Sequence, residues 1–305
     1  MAKGLYGCAG PEHGFRTKHS CESQLIITTE EIQRSVDQKK QVDIIILDFS
    51  KAFDTVAHKR LLIKLKHYGI QSNTHNWINS WLTNRTQKVV IDGDCSNPAN
   101  VTSGVPQGTV LGPLMFLLYI NDISLDTKSK IRLFADDCVL YREILSEKDN
   151  QILQEDLNKL VFWSHEWQMS FNVDKCHTLS AHRKKNPIIH TYTMDNKPRT
   201  PVLNHPYLGI ELQQNMKWTT HINNTTTKAQ KTLNMLRRNL KQTSTSIKSL
   251  AYKTIVRPQL EYASAIWDPN TKDEINKIDK IQTRAARWVF QDYSSYTSVS
   301  LFRLN

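Results

Sequence analysis

Residues 133–141 read LFADDCVLY, two adjacent aspartates inside an apolar, β-favouring run. Asp is depleted in strands, and carboxylates drawn out of water are costly unless something compensates them. The flanking segments IRLFA (131–135) and CVLYR (138–142) predict two short strands, which puts Asp136 and Asp137 at a hairpin tip. A lone acid pair is ordinarily a turn or a solvated face. Its meaning here depends on what the rest of the chain brings to it.

A third aspartate is the first such contribution. VDIIILD (42–48) is a nearly continuous apolar run and predicts a strand buried on both faces, with Asp48 at its end. If that strand lies beside the hairpin, Asp48 and Asp136 converge at the strand ends. Aspartates meeting without a paired cation repel one another and shift upward in pKa. Two Mg²⁺ ions would remove that conflict, because Mg²⁺ takes hard oxygen ligands and shares them with substrate phosphates. Two ions roughly 3.5–4 Å apart can stabilise attacking and leaving oxygens in phosphoryl transfer.

The whole chain fits a polyanionic partner. It has 305 residues, 39% hydrophobic and 23% charged, which predicts a globular protein with a real core. The net charge of +11 favours nucleic acid or an anionic membrane, with a merely well-solvated basic protein as the plainer alternative. The five cysteines, Cys8, Cys21, Cys95, Cys138 and Cys176, form no C-x-x-C pair, so neither a zinc site nor a disulfide framework is indicated. A reducing, intracellular compartment fits them best. The stretch MAKGLYGCAG lacks a signal-peptide profile, and LGPLMFLLYI (111–120) is too short to span a bilayer. Nucleic acid is therefore expected rather than membrane.

Helices are predicted over 20–39, with Leu25, Ile26, Ile32 and Val36 on the spacing, and over 56–68, capped by Gly69. Another is predicted over 109–120, with Pro113 in its first turn. One more follows the Ser146-x-x-Asp149 box, with Ile152, Leu153, Leu157, Leu160 and Val161 inward. KVVI (88–91) predicts a short strand ended by the DGD turn, and SGVPQG (103–108) a loop. Composition changes after about residue 210. Residues 212–260 contain no Asp or Glu and nine Lys or Arg, which predicts a small, basic, mostly helical C-terminal unit.

The ordered set of segments resembles the reverse transcriptases of non-LTR retrotransposons, in particular the jockey-like LINE elements. The matching stretches are HGFRTKHSCESQL (13–25), LDFSKAFDTVAHKRLLIKL (47–65), SGVPQGTVLGPLMFLLYINDI (103–123), LFADDCVLY (133–141), NVDK (172–175) and YLGIEL (207–212). IVRPQLEYASAIWDP (255–269) and IDKIQTRAARWV (278–289) are similar to the region that follows the palm in those elements. One short match would be weak; the series, in order over nearly the whole chain, is specific.

The resemblance implies an α+β right-hand polymerase, a palm of antiparallel sheet with packed helices and partial fingers over 1–212, then a basic helical thumb or connection over 213–305. It implies RNA-directed DNA polymerase activity, in which dNTPs are added to a DNA primer on an RNA template. Two Mg²⁺ would lie at Asp48 and Asp136, with Mn²⁺ as a substitute, and Asp137 would be the third carboxylate. The backbone carbonyl of Phe49 would complete a ligand set. Phe53 would pack under the incoming sugar and exclude a 2′-hydroxyl; Phe53 and Ala135 together point to DNA rather than RNA synthesis. Gly104, Pro106, Gln107 and Gly108 would lie against the nascent base pair, and Lys175 would protonate departing pyrophosphate. Arg16 would belong to the fingers, and Tyr207, Leu208 and Gly209 to the primer grip. Lys228, Lys231, Arg237, Arg238 and Lys241 would hold phosphates of the RNA–DNA hybrid without reading sequence.

Only about a dozen residues precede His13, so the basic fingers segment of the family is expected to be missing. The chain is accordingly expected to be a piece of a larger element protein, or a decayed or domesticated copy. Two other outcomes stay open at this point: a truncated, catalytically inactive nucleic-acid-binding remnant, and a metal-assisted nuclease, in which SGVPQG and Phe53 would have no role. No localisation signal is visible; nuclear action is only what the resemblance implies.

Overall fold

The computed structural model describes residues 13–293, which form two compact units, the chain passing from the first to the second between Leu203 and Asn204. Cys8 and the stretch MAKGLYGCAG lie outside the described residues.

The first unit opens with α1 (Cys21–Asp37). Ser20 accepts from the Ser23 backbone while the Ser23 hydroxyl accepts from Ser20 N–H, a reciprocal cap that fixes the helix start. Leu25, Ile32 and Val36 turn inward, whereas Ile26 is exposed. Strand β1 (Gln41–Asp48) follows, then α2 (Ala52–Thr55), α3 (His58–His67) and α4 (Ser72–Leu82). Gly69, at φ +83°, ends α3 as expected from the sequence.

The stretch KVVI does not give an integrated strand. Four two-residue strands, β2 (Thr86–Gln87), β3 (Val90–Ile91), β4 (Asp94–Cys95) and β5 (Ala99–Asn100), pair only with one another, β2 with β5 and β3 with β4. DGD does form the turn, but Val89, Val90 and Ile91 stay exposed. Their β-branched chemistry favours extension, yet no larger sheet lies beside them to bury it.

Helix α5 (Leu111–Ile120) leads to β6 (Lys130–Phe134), β7 (Asp137–Ile144), α6 (Glu147–Glu166), β8 (His177–Ala181), the small pair β9 (Thr193–Met194) and β10 (Lys197–Pro198), and β11 (Thr200–Pro201). The capping box at Ser146 and Asp149 forms. One five-stranded sheet results, in the order β11-β8-β1-β7-β6, antiparallel except for the β11–β8 edge. β1 is central and antiparallel to both neighbours, which explains its run of isoleucines buried on both faces. Ile45 and Leu47 join a core with Met115 and Phe116 of α5 and Leu153, Leu157 and Leu160 of α6. α1 packs against β1 and β6. The chain is thus α+β, helices packed on an antiparallel sheet.

Lys64 shows how tightly α3 and α5 are joined. Its ammonium is buried, donates to Tyr119 O and Asp122 Oδ1 at 2.5 Å each, and lies 3.7 Å from the Trp167 ring centroid. Burial pushes its pKa down to about 8, against the opposing pull of Asp122.

The second unit begins with the hairpin β12 (Asn204–Tyr207) and β13 (Ile210–Gln213). It continues with α7 (Thr219–Asn239), α8 (Thr245–Ala251), a π-helical turn over Tyr252–Val256, α9 (Arg257–Glu261), α10 (Ser264–Trp267) and α11 (Lys272–Phe290). Ala229, Leu233 and Leu236 of α7 meet Ile281, Ala285 and Trp288 of α11. The hairpin packs on α7, so it belongs with this unit although its composition resembles what precedes it.

Candidate active site

The register of β1 against β7 decides the geometry. Asp48 and Asp137 are direct cross-strand partners, and Phe134 pairs with Asp137 across the hairpin. Directly opposite residues of an antiparallel pair share a face, so these two carboxylates project from one side of the sheet at its end. Asp136 is the second residue of the two-residue turn whose first is Ala135, and the Ala135 φ of +53° is sparsely populated for a residue with a Cβ. Lys175 is carried by a 3₁₀ turn over Val173–Lys175 and puts Nζ 3.6 Å from Asp48 Oδ2. The structure therefore brings Asp48, Asp136, Asp137 and Lys175 together.

The electrostatics are unfavourable as they stand. The Asp137 carboxyl is pushed up to about 6, first by desolvation, then by Asp136 and Asp48, although the residue as a whole remains open to solvent. Among the described residues no three His, Cys, Asp or Glu side chains stand close enough to cage a metal ion. A complete protein cage is not what Mg²⁺ demands, since it usually takes one or two carboxylates and completes its shell with water and phosphate. The hard oxygens of Asp48, Asp136 and Asp137, with the repulsion felt at Asp137, suit such a cation.

A consequence for stability follows. Because the folded state holds the Asp137 proton more tightly than the unfolded chain does, this group's contribution is full below pH 3.8 and lost as pH rises through about 6. With exposure discounted, the loss is expected to be about 1 kcal/mol, a few degrees in melting temperature. Thermal melts in EDTA should show it as a difference from Asp137→Asn that grows across this window. Added Mg²⁺ at neutral pH should reverse it in the native chain and not in Asp48→Asn.

The SGVPQG loop is fixed to the segment after β1. Gly104 N–H donates to Val56 O at 2.8 Å, Val105 N–H to Phe53 O at 2.9 Å, and Ser103 Oγ to Asp54 O at 2.8 Å. Gln107 Nε2 donates to Asp54 Oδ1 at 2.9 Å, and the His58 ring meets Gly104 O at 2.8 Å. Gly104 has φ +86°, and a Cβ there would stand 2.8 Å from the Asp54 backbone. Only glycine permits that approach. Pro106 is buried, whereas Gln107 and Gly108 are exposed. Asp54 and His58 had no distinguishing signal in the sequence; Asp54 meets Gln107 across 53 residues. Phe53 stacks on Phe116 with centroids 4.4 Å apart and keeps part of its surface open.

Phe49 is buried and stacks on Phe171, also at 4.4 Å. Arg16 donates to Asn121 Oδ1 at 3.3 Å, just beyond α5, and is not part of the carboxylate group. In the second unit, Tyr207, Leu208 and Gly209 form the end of the β12–β13 hairpin, and Tyr207 is buried. Lys228, Lys231, Arg237 and Arg238 are exposed along α7, and Lys241 is exposed just beyond it.

The matches to known proteins follow the same residues. The family described as "Reverse transcriptase (RNA-dependent DNA polymerase)" matches residues 8–252. The chain is 30% identical over 294 residues to the probable RNA-directed DNA polymerase from transposon X-element of Drosophila melanogaster, covering 92% of this chain and 32% of that protein. It is 27% identical over 292 residues to the RNA-directed DNA polymerase from mobile element jockey of the same species, covering 90% and 31%. The chain thus spans about a third of the length of these curated relatives. It is also similar to a solved telomerase from Candida albicans in complex with a fragment of telomeric RNA, at TM-score 0.49 and 12% identity, covering 92% of this chain and 53% of that one. No described helix is long and apolar enough to cross a membrane. On the match over residues 8–252, the chain belongs to the reverse transcriptase (RNA-dependent DNA polymerase) family.

Proposed function

We propose that this chain carries the polymerising centre of an RNA-directed DNA polymerase of a non-LTR retrotransposon. Residues 1–212 serve as fingers and palm and residues 213–305 as the basic helical thumb or connection. The observation that carries the reading is the cross-strand placement of Asp48 and Asp137, with Asp136 on the adjoining turn.

The primer 3′-hydroxyl gives up its proton to solvent as its oxygen attacks the α-phosphorus of a dNTP; the new P–O bond forms as the bond to pyrophosphate breaks. Asp48 and Asp136 would hold Mg²⁺, with Asp137 beside them and the Phe49 carbonyl as a further oxygen. When bound, the cations lower the charge on the reacting phosphates. Lys175, already near Asp48, donates a proton to the departing pyrophosphate. Phe53, braced by Phe116, closes the space a 2′-hydroxyl would need. The SGVPQG loop presents Gln107 to template and nucleotide from a backbone fixed to residues 53–56. Arg16 meets template or nucleotide from the fingers side. Tyr207, Leu208 and Gly209 seat the primer end. The exposed cations Lys228, Lys231, Arg237, Arg238 and Lys241 follow hybrid phosphates.

The test is extension of a DNA primer on an RNA template by this chain, or a longer protein containing it, with Mg²⁺ and dNTPs. Template-dependent extension is expected. Hybrid binding without incorporation would replace this reading by that of a binding remnant, and strand cleavage by that of a nuclease.

A further inference from the structure

The end of the β12–β13 hairpin is a conformation its own sequence does not favour. Tyr207 pairs with Ile210, so Leu208 and Gly209 are the two turn residues, with φ of +44° and +85°. Two consecutive positive φ angles are the pattern of a type I′ turn, which ordinarily takes Asn, Asp or Gly at its first position. Leucine there has no side-chain oxygen to support the turn and carries a Cβ that disfavours it. Something outside the hairpin must hold it.

Tyr262 supplies that hold. Its hydroxyl donates to the Leu208 carbonyl at 2.7 Å. Its ring lies where a Cβ on Gly209 would meet Cε1 at 2.9 Å, so ring and turn are fitted to each other. The tyrosine is itself anchored on both sides: its N–H donates to Pro258 O at 3.1 Å, and its carbonyl accepts from Trp267 Nε1 at 2.7 Å. Ala263, at φ +54°, turns the chain sharply behind it. The buried Trp267 fixes the far side of this corner. Tyr262 thus links the corner between α9 and α10 to a single carbonyl of the hairpin turn.

We propose that Tyr262 is a positioning residue for primer extension, clamping the Tyr207–Ile210 turn so that the primer end is seated in one geometry. This rests on the reading of that hairpin as the primer grip. The clamp acts through Leu208 and does not touch the reacting atoms, so it governs the primer and leaves nucleotide binding alone.

Tyr262→Phe removes one oxygen and keeps the ring against Gly209. Hydrogen exchange of the Ile210 amide, which closes the turn, is expected to quicken roughly fivefold, the equivalent of one neutral hydrogen bond. Primer extension should fall about tenfold at fixed primer–template, since sub-ångström misplacement of a reacting group is that costly. KM for dNTP should stay unchanged, and the melting temperature should fall by no more than a few degrees, as expected for one hydrogen bond. Leu208→Gly, which lets the turn form without help, should shrink the effect of Tyr262→Phe when the two are combined. Unchanged exchange at Ile210 overturns the clamp. Faster exchange with unchanged extension, or a shift in dNTP KM alone, overturns the positioning role. Absence of extension by the native chain overturns the polymerase reading instead, and the exchange measurement still decides the clamp.

Discussion

Asp136→Ala is expected to lower primer extension by about a thousandfold or more, the equivalent of about 4 kcal/mol of transition-state stabilisation. The loss should come without any loss of fold. Asp136 is exposed on a two-residue turn, outside the ladder that pairs β6 with β7. Removing it takes away one of the charges that crowd Asp137, so the melting temperature in EDTA should hold or rise slightly. Asp48→Ala should act alike on extension while also releasing Lys175 from its 3.6 Å contact. The measurements are single-nucleotide incorporation rates beside thermal melts. Extension within tenfold of the native rate in Asp136→Ala would remove this residue from the chemistry. An equal loss of rate and of melting temperature would make it structural.

The elements of the first unit were legible because their signals are local. The isoleucine run of β1, the reciprocal cap at Ser146 and the glycine after α3 each act within a few residues. The pairing of Asp48 with Asp137 was not legible, because register is decided between strands and a slip by one residue would have turned one acid to the other face. The partner of Gln107 was hidden for a related reason: nothing within SGVPQG announces Asp54. At KVVI the local signal was right about conformation and misleading about integration, since a strand needs a neighbouring strand that only the tertiary fold supplies. Composition changes near residue 210, whereas compactness divides the chain at Leu203, because charge reports surface and compactness reports what the hairpin packs on.

The sharpest case is the other aspartate in VDIIILD. Asp43 sits five residues before Asp48 in β1, so the two side chains leave opposite faces of the sheet. Asp43 is 4% exposed, yet it is fully compensated. It accepts from Gln41 Nε2 at 2.9 Å, Asn150 Nδ2 at 3.0 Å, Ser180 Oγ at 2.6 Å and Tyr192 Oη at 2.7 Å. These donors come from β1 itself, α6, β8 and the segment before β9, so one carboxylate ties four parts of the first unit. Asp43→Ala would take the acceptor from the Ser180 and Tyr192 hydroxyls and one of two acceptors each from Gln41 Nε2 and Asn150 Nδ2, and is expected to cost about 3 kcal/mol, a fall of roughly 10 °C in melting temperature. Asp43→Asn keeps the volume but turns an amide N–H toward some of those donors, so about half that loss is expected. A fall of less than about 2 °C in Asp43→Ala would mean that the network relaxes or admits water. Below its lowered melting point Asp43→Ala should still extend primers, the reverse of Asp136→Ala. Two carboxylates on one strand are thus separated by their surroundings: Asp43 is enclosed by four donors within the first unit, whereas Asp48 stands half-buried at the end of the sheet with the Lys175 ammonium 3.6 Å away, so the first is expected to govern stability and the second primer extension.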